Sequence, residues 1–186
     1  MICRLGVVPD QVIAQAVYTG ITTDTGCFRY SNTTARTHEI AAQVIRTGID
    51  AGDINRRMFE TKTRARLEME RSVLDSIAFY FDARCAVMCI SRAMIEASGA
   101  DEGDLDGLSA IPRQIEGVLV GVTMRERKLG GYKVSLRTQP QVNAAKICAE
   151  FGGGGHVAAA GCTIEEDFEP AREKLLAAIG KVLETM

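Results

Sequence analysis

Gly152-Gly153-Gly154-Gly155-His156, running through Val157 into Ala158-Ala159-Ala160-Gly161, decides what the second half of this 186-residue chain can be. Four consecutive residues without a Cβ expose their amides and admit φ > 0, so successive N–H groups can converge on one anion. Ordering such a run costs much chain entropy. Flexible linkers carry Ser and polar filler, whereas this run lies between Phe151 and an apolar Val-Ala-Ala-Ala segment. The composition reads as backbone approaching a ligand, a phosphate above all. It is not a Walker A loop, because the glycines follow a helical stretch and no Lys-Ser or Lys-Thr comes after them. Nor is it G-x-G-x-x-G, because position 157 is Val.

Working outward, the elements of the second half alternate. Cys85–Ile90 is an apolar run of strand length, and Ser91 caps a short helix to about Ala97. Gly117–Met124 reads as a central strand. Gly130-Gly131 is a hairpin turn leading into Tyr132–Arg137, where Lys133, Ser135 and Arg137 alternate with Val134 and Leu136. A helix over 140–150 precedes the glycines, and a strand through Cys162–Ile164 follows them. Residues 168–184 form a closing amphipathic helix with Leu175, Leu176, Ile179 and Leu183 inward. The expected architecture is a mixed-sheet α/β domain over 84–186.

The first half is mostly helical. Asp10 caps a helix over 10–20 with Val12, Ile13, Ala16 and Val17 on one face. A polar turn (Thr22–Gly26) and a short strand, Phe28-Arg29-Tyr30, come next. Ser31–Thr34 offers caps for a helix with Ile40, Ala41, Val44 and Ile45 as its apolar face, closed by Gly48. A third helix begins near Asp53. Residues 60–78 carry only a thin stripe of Leu67, Leu74 and Ile77, which reads as a connector. Helices beside one strand leave apolar faces uncovered, so this half is expected to be the end of a larger α/β domain. The domain expectation is 1–60, a helical linker 61–83, and 84–186.

The formal net charge of −2 gives no basic field for long nucleic acid. No apolar run approaches the roughly 18 residues needed to span a bilayer, and Met1–Leu5 lacks a signal-peptide core. The six cysteines, at 3, 27, 85, 89, 148 and 162, form no C-x-x-C. They read as reduced thiols of a cytoplasmic protein rather than zinc ligands.

Four features carry candidate chemistry. Arg137 and Ser135 share a strand face, which could clamp phosphate bidentately or simply face solvent. His156, beside the glycines, is either a donor to phosphate or a base, or structural. Asp24, in Thr23-Asp24-Thr25-Gly26, has three readings: the Asp-Thr-Gly of aspartic proteases, which needs a second triplet in an all-β chain; a hard-cation ligand; or a cap. His38 reads as a surface residue.

Two blocks bear a resemblance. Tyr18–Thr34 (YTGITTDTGCFRYSNTT) resembles the last catalytic motif of DHH-family phosphoesterases. Tyr132–Arg137, Phe151–His156 and Ala159–Gly161 together resemble their C-terminal DHH-associated domain, most closely in the nano-RNase and pAp-phosphatase branch. The resemblance implies hydrolysis of short oligoribonucleotides and 3′-phosphoadenosine 5′-phosphate (pAp) with two divalent cations, usually Mn2+. It implies that Asp24 is a catalytic metal ligand. It also implies that Ser135, Arg137, Gly152, Gly153, Gly154, Gly155 and His156 hold the substrate.

The chain departs from the family in having no Asp-His-His triplet and none of the earlier aspartate motifs. It is therefore expected to be a C-terminal portion whose partner is the missing DHH region. On that expectation it is inactive by itself, because one carboxylate cannot hold two cations, and a homodimer is an expected assembly. The rival readings are a non-catalytic nucleotide-binding module, a single-strand exonuclease and a cyclic-dinucleotide phosphodiesterase.

Overall fold

The computed structural model describes residues 10–185. The N-terminal Met1–Leu5 segment and Cys3 lie outside the described residues. Two compact units divide after Lys62.

The first unit is helical. Helix α1 (Gln11–Asp24) starts on Asp10, whose carboxylate accepts from Ile13 N. Thr34 and Thr37 form a reciprocal capping box at α2 (Ala35–Ile45), and Asp50 caps α3 (Ala51–Asn55). Its core is Ala14, Tyr18, Ala41, Val44 and Ile49, with Phe28 packed against it. The buried face of α1 is therefore Ala14, Tyr18 and Thr22. Val12, expected inside, is 73% exposed, and Ile45 on α2 is exposed as well.

The strand expected at Phe28–Tyr30 is a turn instead. Gly26, Cys27 and Phe28 are all left-handed, with φ of 56°, 57° and 64°. Thr25 holds the turn through its carbonyl, which accepts from Arg29 N and Tyr30 N, and its Oγ1, which accepts from Phe28 N. The Tyr30 ring covers Gly26 so closely that no Cβ fits there.

The second unit is built on a six-stranded mixed sheet in the order β1-β2-β3-β4-β6-β5. Its strands are β1 (Ala78–Tyr80), β2 (Cys85–Ile90), β3 (Val120–Glu126), β4 (Tyr132–Thr138), β5 (Gly154–His156) and β6 (Ala159–Ile164). Only β2 and β3 run parallel; the crossover between them carries α5 (Arg92–Ser98), capped by Ser91. Helices α4 (Arg64–Asp75), α6 (Ala144–Ala149) and α7 (Phe168–Glu184) complete the unit.

The two sheet faces differ. One is apolar apart from the buried Thr138, whose hydroxyl donates to Val142 O: Cys85, Val87, Val120, Val122, Met124, Val134, Leu136, Ala160, Cys162 and Ile164 pack on Val142, Ile147, Leu175, Ile179 and Leu183. The other face is covered over β2, where Met88 and Ile90 pack with Met69 and Val73 of α4 and with Leu105 and Leu108, and over β3, where the Arg113 backbone lies against Gly121 and Thr123 is buried. The helix read as a connector thus contributes to this second core through Met69 and Val73. Leu67 and Leu74, the expected stripe, are each 53% exposed.

Two glycine substitutions should move stability in opposite directions. A Cβ at Gly121 would meet the backbone N of Arg113 at 2.6 Å, whereas at Gly20, inside α1, it would meet nothing within 4 Å. Gly121→Ala should destabilise by about 1–3 kcal/mol through overpacking. Gly20→Ala should stabilise by about 0.5–1 kcal/mol through helix propensity. Urea denaturation of the full chain measures both.

Candidate functional site

Strand β4 has a polar and an apolar edge. Val134 and Leu136 are buried in the large core, while Lys133, Ser135 and Arg137 lie on the opposite face. Directly paired residues of antiparallel strands share a face. Ser135 therefore stands in one row with Gly161 of β6 and Gly154 of β5, and Arg137 in the next with Ala159 and His156. On the other side Ser135 pairs with Thr123, Arg137 with Gly121 and Lys133 with Arg125.

The result is a shallow face floored by glycine and alanine, with Lys133, Arg137 and His156 around it. Arg137 makes no ion pair among the described residues; its Nη1 donates only to the Leu136 carbonyl at 3.1 Å. A guanidinium free of carboxylate partners on a small-residue floor is suited to an anionic ligand.

The glycine quartet is not a uniform anion nest. Gly152 N donates to Ala149 O at 3.1 Å and Gly153 N to Cys148 O at 2.9 Å. Gly152 is left-handed at φ 68°. Together they satisfy the last carbonyls of α6, as a left-handed C-terminal cap does, so these two amides are not available to an anion. Gly153 packs directly on β6: a Cβ there would meet Cys162 Cβ at 2.5 Å and overlap the Gly161 carbonyl oxygen. A Cβ at Gly155 would meet Ala159 O at 2.6 Å. Gly154 differs from the other three: nothing lies within 4 Å of its would-be Cβ, and its φ is not left-handed. The fold therefore requires glycine at 152, 153 and 155 but not at 154.

Beside the quartet lies a hollow of about 520 Å³ lined by Arg127, Lys133, Gly152, Gly153, Gly154 and Thr163. Arg127 is paired to Glu165 at 3.2 Å and Arg125 to Glu102.

Asp24 belongs to the first unit, whereas the other candidate residues belong to the second. It is the exposed last residue of α1, and Asn32 Nδ2 donates to both its Oδ2 and its carbonyl oxygen at 3.1 Å. It lines a hollow of about 520 Å³ with Asn32, Thr34, Arg36 and Thr37. His38 is exposed and stacks on Phe28 with ring centroids 4.9 Å apart. Among the described residues no group of three or more His, Cys, Asp or Glu side chains could hold a metal ion. These residues do not fit a two-cation centre.

Sequence reasoning missed two members of the sheet face, Thr123 and Gly121. The alternation in Val120-Gly121-Val122-Thr123-Met124 was the available signal: the two non-apolar residues share the face opposite the valines.

The DHHA1 domain family model matches residues 83–185, and the chain belongs to this family. It is 35% identical to the bifunctional oligoribonuclease and PAP phosphatase NrnA of Thermus thermophilus, over 98% of this chain and 55% of that protein. The protein of the same name from Bacillus subtilis is 24% identical over 81% of this chain and 47% of its own length. An exopolyphosphatase-related protein from Bacteroides fragilis superposes with a TM-score of 0.87 at 30% identity, covering 97% of this chain and 54% of that one. The chain spans about half the length of the curated relatives it matches.

The described cysteines are free thiols. Burial pushes the Cys85 thiol up to about 12, and burial together with Glu126 pushes Cys89 up to about 11. A raised thiol pKa favours the native state fully below the unfolded value of 9.0, and this contribution is lost as pH rises through 11–12. The unfolding midpoint should therefore fall between pH 9 and pH 12. The raised pKa keeps Cys85 and Cys89 protonated near pH 8, so iodoacetamide should label the half-exposed Cys27 well before either, as read by peptide mass spectrometry.

Proposed function

We propose that this chain is the nucleotide-grasping portion of a phosphoesterase that hydrolyses short oligoribonucleotides and pAp. On this reading residues 84–186 are the substrate-binding domain, 61–83 an interdomain linker whose α4 and β1 pack with it, and 1–60 the end of the catalytic domain. The observation that carries the reading is Arg137, free of carboxylate partners and two strands from His156 across a floor of Ala159, Gly161 and Gly154. The curated relatives' names give the substrate class.

Ser135, Arg137, Gly154 and His156 would contact the ligand. Gly152, Gly153 and Gly155 would hold the backbone of that segment against β6. In the intact enzyme Asp24 would be one ligand of a pair of divalent cations, Mn2+ in our proposal, whose chemistry would be the activation of water; the described residues do not supply the remaining ligands. No described helix is long and apolar enough to cross a membrane; the proposed setting is the cytoplasm, and a homodimer is the proposed assembly.

A non-catalytic nucleotide-binding module is the second reading, favoured by the lack of a metal-ligand cluster among the described residues. Incubating the 186-residue chain with Mn2+ and a diribonucleotide addresses both. We expect no cleavage, and cation-dependent cleavage would overturn the module reading and our assignment of inactivity together.

Calorimetric titration with pAp tests the binding site. Wild type should bind, and a flat titration would sink the proposal. Arg137→Ala should weaken binding by about 1–3 kcal/mol, the worth of a charged hydrogen bond. Its melting temperature should hold, because only the bond to Leu136 O is lost. Gly154→Val should abolish binding with the fold intact, since this glycine alone in the quartet combines room for a side chain with a φ that is not left-handed. Unaltered affinity in either variant would remove that residue from the site.

A further inference from the structure

Thr123 is 3% exposed, and its Oγ1 is buried without a hydrogen-bond partner. An unpaired buried hydroxyl is costly, and valine has nearly the same shape without that cost. Its neighbours in the sheet are Met88 on β2 and Ser135 on β4. A thioether is a weak acceptor, so Met88 offers little. Ser135 is half-buried on the less covered face, between Lys133 and Arg137. Directly opposed residues of an antiparallel pair have Cβ atoms about 4.5–5.5 Å apart, and Thr–Ser hydrogen bonds form across such pairs. A serine hydroxyl changes direction by rotation about χ1 between staggered wells.

We infer that Thr123 is a positioning residue that acts through Ser135 when a phosphoryl group is bound. The Thr123 hydroxyl donates to Ser135 Oγ. A hydroxyl has a single proton, so Ser135, accepting from behind, turns its own proton outward as a donor. The matching ligand atom is an acceptor, an anionic phosphoryl oxygen, with Lys133 and Arg137 supplying positive charge from either side. The buried Thr123 hydroxyl, which has no partner among the described residues, gains one in this arrangement. The inference rests on the nucleotide-binding reading above and adds to it a residue and a direction of proton donation.

The test is calorimetric titration of pAp into the full chain and its variants, with melting temperatures alongside. Thr123→Val should bind about 3–10-fold more weakly, and Thr123→Ser, which keeps the hydroxyl, should stay within about twofold of wild type. Thr123→Val placed on Ser135→Ala should cost nothing beyond Ser135→Ala, because the two act as one unit. The melting temperature of Thr123→Val should be unchanged or higher, since an unpaired buried hydroxyl is removed. Unchanged affinity in Thr123→Val, or independent losses from the two substitutions, overturns the inference while leaving the nucleotide site standing. Equal loss of affinity and melting temperature in the Val and Ser variants would mark Thr123 as purely structural and overturn it too. Absence of pAp binding by wild type overturns both.

Discussion

The close approach of the segment after α6 to strand β6 is the constraint on which the second unit depends. Gly153 lies so near Cys162 and Gly161, and Gly155 so near Ala159, that neither position has room for a Cβ. The same segment must first leave α6, which Gly152 allows by turning left-handed while its amide and that of Gly153 close the helix. Close approach and helix capping together bring β5 alongside β6. Without that contact β6 would be an open edge, and His156 would have no fixed place relative to Arg137.

Strand β4 turns this constraint into a candidate site. Its alternation sends Val134 and Leu136 into the large core and leaves Lys133, Ser135 and Arg137 on the face that α4, Leu105 and Leu108 cover over β2 and the Arg113 backbone covers over β3. Burying two apolar residues of this size stabilises on the order of 3–6 kcal/mol, and that energy holds the polar residues between them in register. A one-residue slip would exchange the two sets. Fold stability and placement of the cationic face therefore come from the same packing.

The first unit places its carboxylate by a different device. Three successive left-handed residues after Asp24 are unfavourable for Cys27 and Phe28. They are held by Thr25, by the Tyr30 ring over Gly26 and by Phe28 packing toward Tyr18. Strain of this kind persists only where the surroundings over-determine it, and it collects at functional sites. Here it returns the chain so that Asn32 meets Asp24.

Much of this was legible in the chain. Strand-length apolar runs gave β2 and β3, alternation gave the two faces of β4, and cap residues such as Asp10, Thr34 and Ser91 marked helix starts. These signals are local: they depend on period and on side chains that bond their own neighbours. Only the tertiary structure decided which apolar residues of α1 and α4 are inside, because both helices carry more than one apolar row and the choice belongs to the partner elements. It also divided the roles of four identical glycines, which one-dimensional spacing cannot separate. Gly153 and Gly155 answer to the backbone packed against them, Gly152 to its left-handed turn and Gly154 to neither, and the atoms packed on the first two belong to residues brought near only by the fold.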